Sequence, residues 1–504
     1  MRLATTAQAA QIDEMAQTVY GLSGETLMEA AGALAAREID LTFLPELTRG
    51  AVTVVAGPGN NGGDALVVAR HLHSSGYRDL QIFTIAPRDS QSALFKQQLK
   101  RCELAGIRIV DLTEIPERVQ QIKSSELIVD GIFGIGLAKP VSAPYLAVIE
   151  AMNSSKAPKV SLDTPSGLNC NTGRVEGTAV RAALTITFGL AKPGFFVSEG
   201  PAHTGKLRVL PIGFPFEALR GIATSHFVFN ERLARRYLPA RKETANKSDH
   251  GRLLLIAGRP GFWGAGILAG SAAFRMGAGY VTWASFESPL EVLKEIPEIL
   301  TAQVHDDVLW QQKTSAVAIG PGLGTGKETA ALIERLKELK DVPVVVDADA
   351  ITACVEHGLF PLPAHWVITP HAGELARILK VHAQDLEKDR FQACFEAYAK
   401  TKCHVLLKGY RSLIAFENRC MIIHAGNSAL AKAGTGDVLT GMIGALLAQG
   451  LDTLPATSTA AYLHGRLADE WLRSGQDKSS LTASDLGKIL PQIVSRLRAG
   501  GSLF

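Results

Sequence analysis

Residues 433–437, Ala433-Gly434-Thr435-Gly436-Asp437, place a carboxylate beside a run of backbone donors. An apolar, glycine-spaced stretch follows at once and reads as a helix. Two glycines and a hydroxyl at a helix start leave N–H groups without intrahelical partners, and the helix dipole adds to their pull on an anion. A carboxylate beside such a phosphate cradle serves better as a proton acceptor than as a binder. The bland alternative is a polar helix cap whose glycines serve turn geometry, because short glycine motifs recur by chance. A second set lies in the first half of the chain. Asn61, Asp130, Asp163 and Ser166 each fall at or just beyond the end of an expected strand, where open parallel sheets collect functional residues. Oxygen ligands with only one or two carboxylates suit a weakly held monovalent cation, whereas harder cations demand more charge.

The elements that must place these groups follow from the hydrophobic period. Ala7–Tyr20 and Glu25–Ile39 carry helical spacing, broken at Gly21 and Gly24. AVTVVAG, from Ala51, is a short apolar run of the kind found in buried parallel strands. It enters the loop Gly57-Pro58-Gly59-Asn60-Asn61-Gly62-Gly63-Asp64, after which ALVVARHLH reads as a helix. Strand, glycine loop, helix is the phosphate-binding arrangement of doubly wound folds. Gly57, Gly59 and Gly62 satisfy GxGxxG, yet the next strand, Leu80–Ala86, ends in Pro87-Arg88 where a ribose-binding acid is expected. Asn60, Asn61 and Asp64 put polar groups where that fingerprint wants small apolar packing. They point either to ligand or cation contacts or to turn-forming asparagines. Further strands are expected at IRIVDL, ELIVDG, Lys159–Asp163, Ala183–Phe188 and Lys206–Leu210, with helices at Ser92–Ala105 and Pro144–Met152.

After Pro215 a polar, irregular stretch separates this pattern from a second one. Arg252–Ala257 reads as a strand, followed by a Gly258–Gly266 loop and a helix to Met276. Thr314–Leu336 is again strand, glycine loop, helix, but Glu328 stands where a P-loop needs a hydroxyl for magnesium. Asp347 and Asp349 end a buried strand. His371 and Glu374 lie at the next strand-to-helix turn, where a lone His-x-x-Glu more often caps a loop than binds metal. His404–Phe416 gives two strands joined by Lys408–Arg411, a turn that can offer a lysine and backbone donors to a nucleotide phosphate.

Composition narrows the function classes. The 504 residues exceed one ordinary domain, and 46% hydrophobic with 20% charged content describes a globular protein with ample core. A net charge of +3, with no basic run, argues against nucleic acid. Six cysteines without CxxC spacing fit reduced thiols better than disulfides or a zinc site. Neither a signal pattern nor a long apolar run is present, so a cytoplasmic location without membrane contact is expected.

The motifs GNNGGDALVVARHL, VDGIFGIGL, SLDTPSGLN and AKPG resemble the NAD(P)H-hydrate epimerase domain over about residues 5 to 215. That resemblance implies a Rossmann-like domain, taken as residues 1–218, that interconverts the R and S hydrates of NADH and NADPH. It implies hydrate contacts at Asn60, Asn61, Gly62, Gly63 and Asp64, and at Gly134, Ile135, Gly136, Leu137, Ala138, Lys139 and Pro140. Tyr145 and Asp163 complete the set, and a potassium ion is implied near Asn61, Asp130 and Ser166. Two departures are Ala65, where the family usually has glycine, and Thr164, where it usually has isoleucine or valine. Asp163 is the candidate acid or base at the hydrated carbon. Lys192 is either a second such group or a structural pair partner.

GPGLG, DADAI, TPHAGEL, LLKGYRS and AGTGDVLTG resemble the ribokinase-like fold and, within it, the ADP/ATP-dependent NAD(P)H-hydrate dehydratases, over about residues 228 to 500. A second domain is therefore expected over 226–504, giving an α/β chain of two different α/β domains. The resemblance implies hydrate contacts at Gly266, Gly322, His371, Ala372, Gly373, Glu374, Leu375, Ala376, Arg377 and Asp437. It implies ADP contacts at Lys408, Gly409, Tyr410, Arg411 and Ser412, and at Asn427, Ser428, Ala429, Leu430, Ala431, Lys432, Ala433, Gly434, Thr435 and Gly436. Gly264-Ala265-Gly266 departs from the more common Gly-Ala-Ala. Asp437 is expected to take the proton of the hydrate's hydroxyl as that oxygen accepts the terminal phosphate of ADP, with loss of phosphate restoring the ring. Magnesium accompanies the nucleotide in this scheme, although no dedicated cage for it is visible. Lys432 and His464 read as a solvated lysine and a packed histidine. The family tends to form homo-oligomers. The alternative is a ribokinase-like vitamin kinase behind a non-catalytic nucleotide-binding module, since fold alone does not choose between them.

Overall fold

Runs of β-branched residues without polar interruption can be satisfied only when both faces of a strand are covered, and helices do this in parallel sheets. The computed structural model describes residues 1–47, 50–137, 139–289 and 294–500. In it the chain divides into two units, Arg2–Thr224 and Ser225–Phe504, the latter with Met1.

The first unit holds an all-parallel sheet in the order Arg108–Asp111, Leu80–Thr84, Val52–Ala56, Leu127–Gly131, Lys159–Leu162, Leu184–Phe188, Lys206–Leu210. Val55 is paired with Phe83 on one side and Asp130 on the other. The chain winds outward from Val52–Ala56, then returns to its other flank at Leu127–Gly131. Between these two strands lies the switch point where doubly wound folds bind ligands. One expectation needs correcting: Asn60–Asp64 are not loop, because the helix already begins at Asn60 and runs to Ser74. Gly62 allows this, since a Cβ there would overlap the Gly57 carbonyl. Gly63 in turn would put a Cβ 2.5 Å from the Met28 methyl. Ala65 is accommodated by Gly131, whose own Cβ would collide with the alanine methyl. Strand Lys159–Leu162 ends one residue early, and Asp163 turns out of it at φ 58°.

The second unit orders its strands His226–Phe229, Arg419–Ile423, Leu413–Phe416, His404–Leu407, Val367–Ile368, Val344–Val346, Ala316–Ile319, Arg252–Ile256, Tyr280–Ser285, Leu300–Gln303. Leu413–Phe416 runs antiparallel to both its neighbours, and the other pairings are parallel. Helix Thr435–Ala448 is buried along nearly its whole length. It packs on helix Trp263–Met276 so closely that a Cβ on Gly441 would overlap the Ala269 carbonyl. The Gly258–Gly266 loop expected from the sequence is shorter, because this helix starts at Trp263. Gly266 faces the buried Trp283 indole, which occupies the volume a side chain would need.

Candidate active sites

Each unit gathers polar groups at the carboxyl ends of its strands. In the first unit they surround a cavity of about 470 Å³. Its apolar wall includes Ile12, Leu27, Met28, Phe188, Leu190, Ile212 and Phe214, and its polar wall Asp13, Asn60, Asn61, Asp64, Asp163 and Lys192. Gly134, Ile135 and Gly136 also reach it. Gly62 and Gly63 lie beneath it as packing positions, and Leu137, Lys139, Pro140 and Tyr145 lie outside its lining. Ala138 is outside the described residues. The Tyr145 ring packs on Phe133, a lining residue, at 4.7 Å between centroids.

Asp163 is held by one oxygen and free at the other. Its Oδ1 accepts from the buried Lys192 ammonium and, at 3.0 Å, from the Thr187 hydroxyl. Lys192 also donates to Thr187 Oγ1 at 2.7 Å, so it is an ion-pair partner in this structure. Oδ2 accepts no bond from the described residues and lies 3.7 Å from where a Cβ on Gly134 would be. Beneath it the Asp130 carboxylate, fully buried, accepts from Ser161 Oγ at 2.7 Å, Ser166 Oγ at 2.6 Å and Ser166 N at 2.9 Å. Burial raises its pKa against the pull of those donors. Asn61 donates from Nδ2 to the Phe133 carbonyl at 2.9 Å, while its buried Oδ1 has no partner. An orphaned amide oxygen in polar surroundings is what a bound cation would satisfy. Asn61 Oδ1 is thus open to a monovalent ion, and Asp130, bonded to Ser166, lies in the same unit as a second oxygen donor.

Sequence reasoning missed Asp13, which comes from helix Thr6–Thr18. Burial pushes it up to about 6, with Asp163 adding to the rise and Lys192 opposing it. Asp64 is raised well above the usual carboxylate range by burial, then by Asp163 and Asp13.

In the second unit the helix starting at Thr435 has no side-chain cap on its first N–H groups. Gly434 precedes it at φ 86°, and Thr435 Oγ1 donates back to the carbonyls of Leu430 and Lys432, both at 2.9 Å. Burial pulls His464 down to about 4, so the neutral ring donates from Nε2 to the Thr435 carbonyl at 2.9 Å. His464 is therefore a packed histidine that also steadies the glycine loop. Lys432 donates to the Ser479 carbonyl, a surface tether.

Lys408, at the end of its strand, donates to Asp347 at 2.6 Å. Asp347 also accepts from Thr369 and Thr440, both at 2.7 Å. The lysine lies against the helix start, its Nζ 3.6 Å from where a Cβ on Gly436 would be. Asp437, in the first helical turn, receives no such support. Burial and the charge of Asp347 push it up to about 7, with Lys408 opposing.

His371 caps helix Ala372–Leu379: Nδ1 accepts from Gly373 N at 3.0 Å, and buried Glu374 accepts from His371 N at 2.8 Å. Arg377 reaches Thr352 Oγ1 at 3.3 Å from the same helix. The Gly322 loop is tied to helix Asp349–Glu356 by Asp349, which accepts from Gly324 N at 2.8 Å; the strand expected to end at Asp347 and Asp349 stops at Val346. Two supports escaped the sequence reading. Asp469 accepts from Asn427 Nδ2 at 3.0 Å and Gly426 N at 3.1 Å, holding the 427–430 turn. Arg390, buried, donates to the Tyr410 carbonyl at 2.7 Å and holds the 408–412 turn. All six cysteines are free and buried, and no described helix is long and apolar enough to cross a membrane.

The family profile described as NAD(P)H-hydrate dehydratase matches residues 253–492, and that described as YjeF-related protein N-terminus matches 24–194. A bifunctional NAD(P)H-hydrate repair enzyme of Thermofilum pendens is 35% identical over 99% of this chain and 97% of its own. One from Moorella thermoacetica is 34% identical with the same coverage of both chains. Among solved structures, a ribokinase-like superfamily protein of Enterococcus faecalis matches 55% of this chain and 98% of its own at 24% identity, with a TM-score of 0.50, which speaks to the fold of the second unit.

Proposed function

Since the chain belongs to the bifunctional NAD(P)H-hydrate repair enzymes, with epimerase and dehydratase domains, we propose how its two units divide the work. The first, around residues 1–218, equilibrates R and S hydrates in its 470 Å³ cavity. The second, around 226–504, dehydrates the S form with ADP, giving AMP and phosphate. The vitamin-kinase alternative is not favoured by relatives that match the whole length.

In the epimerase cavity, Asp163 presents Oδ2 to the hydrated carbon while Lys192 and Thr187 hold Oδ1. Potassium held by Asn61, Asp130 and Ser166 would supply a fixed positive charge beneath the loop that binds the hydrate. The orphaned Asn61 Oδ1 supports it.

In the dehydratase site, Asp437 takes the proton from the hydrate's hydroxyl as that oxygen accepts the terminal phosphoryl group. The N–H groups of 433–436 face the charge that develops on it, and Lys408 stands beside them. Phosphate then leaves and the ring double bond returns. Glu374 and the His371 cap hold the loop against which the hydrate docks. Magnesium would travel with the nucleotide, whose phosphate oxygens are the hard ligands it prefers. A cytoplasmic, homo-oligomeric enzyme acting on small molecules completes the reading.

The observation that carries the dehydratase assignment is Asp437, in the first turn of an uncapped helix and brought to about 7. Asp437→Asn should lower ADP-dependent dehydration of the S hydrate by about 10²- to 10⁴-fold, the usual worth of a general base. Turnover within a few-fold of wild type would remove Asp437 from that role.

A further inference from the structure

Epimerisation inverts one ring carbon, which carries a hydroxyl and bonds to the ring nitrogen, with no net oxidation. Inversion through loss and return of water needs two proton-handling groups. One protonates the departing hydroxyl, and the other deprotonates a water arriving on the opposite face. Asp163, at the end of its strand, can be only one of them.

Helix Thr6–Thr18 forms another wall of the same cavity, and Asp13 is the carboxylate it contributes there. Asp13 is half-buried, and its carboxylate accepts no hydrogen bond from any described residue. A carboxylate kept for structure is normally capped or paired. This one has only a cavity to face. The charged groups around it are Asp163 and Lys192 from the sheet side and Asp64 from helix Asn60–Ser74. Three carboxyls share one ammonium, so they cannot all be ionised together at low cost. A group near 6 can both give and take a proton close to neutrality.

We propose that Asp13 is the second acid–base residue of the epimerase reaction, acting on the ring face opposite Asp163. The inference rests on the epimerase reading above. In one direction Asp13 protonates the hydroxyl, the C–O bond breaks, and the ring nitrogen's lone pair closes onto the carbon as water leaves. A second water then bonds to that carbon from the other face. It gives its proton to Asp163, and the electron pair returns to nitrogen. One water departs, one enters, and one proton passes from Asp13 to Asp163. The opposite direction returns it, and during net conversion proton exchange with bulk water resets both carboxyls between turnovers.

The test follows the full-length protein converting R hydrate to S hydrate in ¹⁸O-water, with wild type, Asp13→Asn and Asp13→Glu. The wild type should take up one solvent oxygen per inversion. Asp13→Asn should slow exchange by about 10²-fold or more and abolish a limb of the pH profile near 6, while dehydration of S hydrate continues. Asp13→Glu should retain exchange with that limb displaced, and it carries the test should the asparagine variant fail to fold. Exchange by Asp13→Asn within about twofold of wild type, an unmoved limb in either variant, or inversion with the original oxygen kept would overturn the proposal. A wild type that does not convert R hydrate into S hydrate would instead defeat the epimerase reading beneath it.

Discussion

Asp347 is buried and Asp437, within reach of its charge, is half-buried, and their surroundings drive them apart. Burial raises both. For Asp347 the adjacent Lys408 charge and hydrogen bonds from Lys408, Thr440 and Thr369 more than offset it, so the group stays below the ordinary range. Asp437 accepts no hydrogen bond among the described residues, and burial with the negative charge of Asp347 leaves it at about 7. Carboxyls whose environments separate them in this way sort into structural and proton-transferring roles. On the proposed reading, Asp347 positions Lys408 and Asp437 exchanges the proton. A base works only when deprotonated, so dehydration kcat/KM should rise with pH through about 7 and level off above it. A flat profile across that range, measured with S hydrate and saturating ADP, would show that another group accepts the proton.

At the scale of elements, small residues set how closely the site's supports approach. Gly441 lets helix Thr435–Ala448 lie against helix Trp263–Met276, and Gly436 at its start lies beside Lys408 and Asp347, at the carboxyl ends of central strands. Gly441→Ala should cost about 1–3 kcal/mol or more, as overpacking does. It would appear as earlier loss of dehydratase activity on heating, and an unchanged midpoint would mean the helices can part without cost. Such packing also explains what was legible beforehand. The Asp437 loop, Lys408 and Asp163 were readable because each site fragment is contiguous and punctuated by glycine. The helix starts at Asn60 and Trp263 were misread, because glycines that usually mark a turn here serve close packing inside a helix. Asp13, Arg390 and Asp469 left no local signal. Each sits in an ordinary helix, and only the folded chain brings it to a cavity wall or a loop.

At the scale of the molecule, two chemistries share one chain because each leaves the other's problem unsolved. A dehydratase that accepts only the S hydrate strands the R form, and an epimerase alone repairs nothing. Each unit carries its own apparatus: a cavity with an Asp163–Lys192 pair in one, and an uncapped helix start with Asp437 in the other. The division of labour is the central claim, and replacing one aspartate tests it most directly. The measurement is recovery of reduced-nicotinamide absorbance from a mixture of R and S hydrates with ADP, magnesium and potassium. Wild type should recover nearly all of it. Asp163→Ala should reach about the S fraction at an undiminished initial rate and pass beyond it only as fast as spontaneous epimerisation allows. Full recovery by Asp163→Ala at the wild-type pace would contradict the assignment of epimerisation to that cavity.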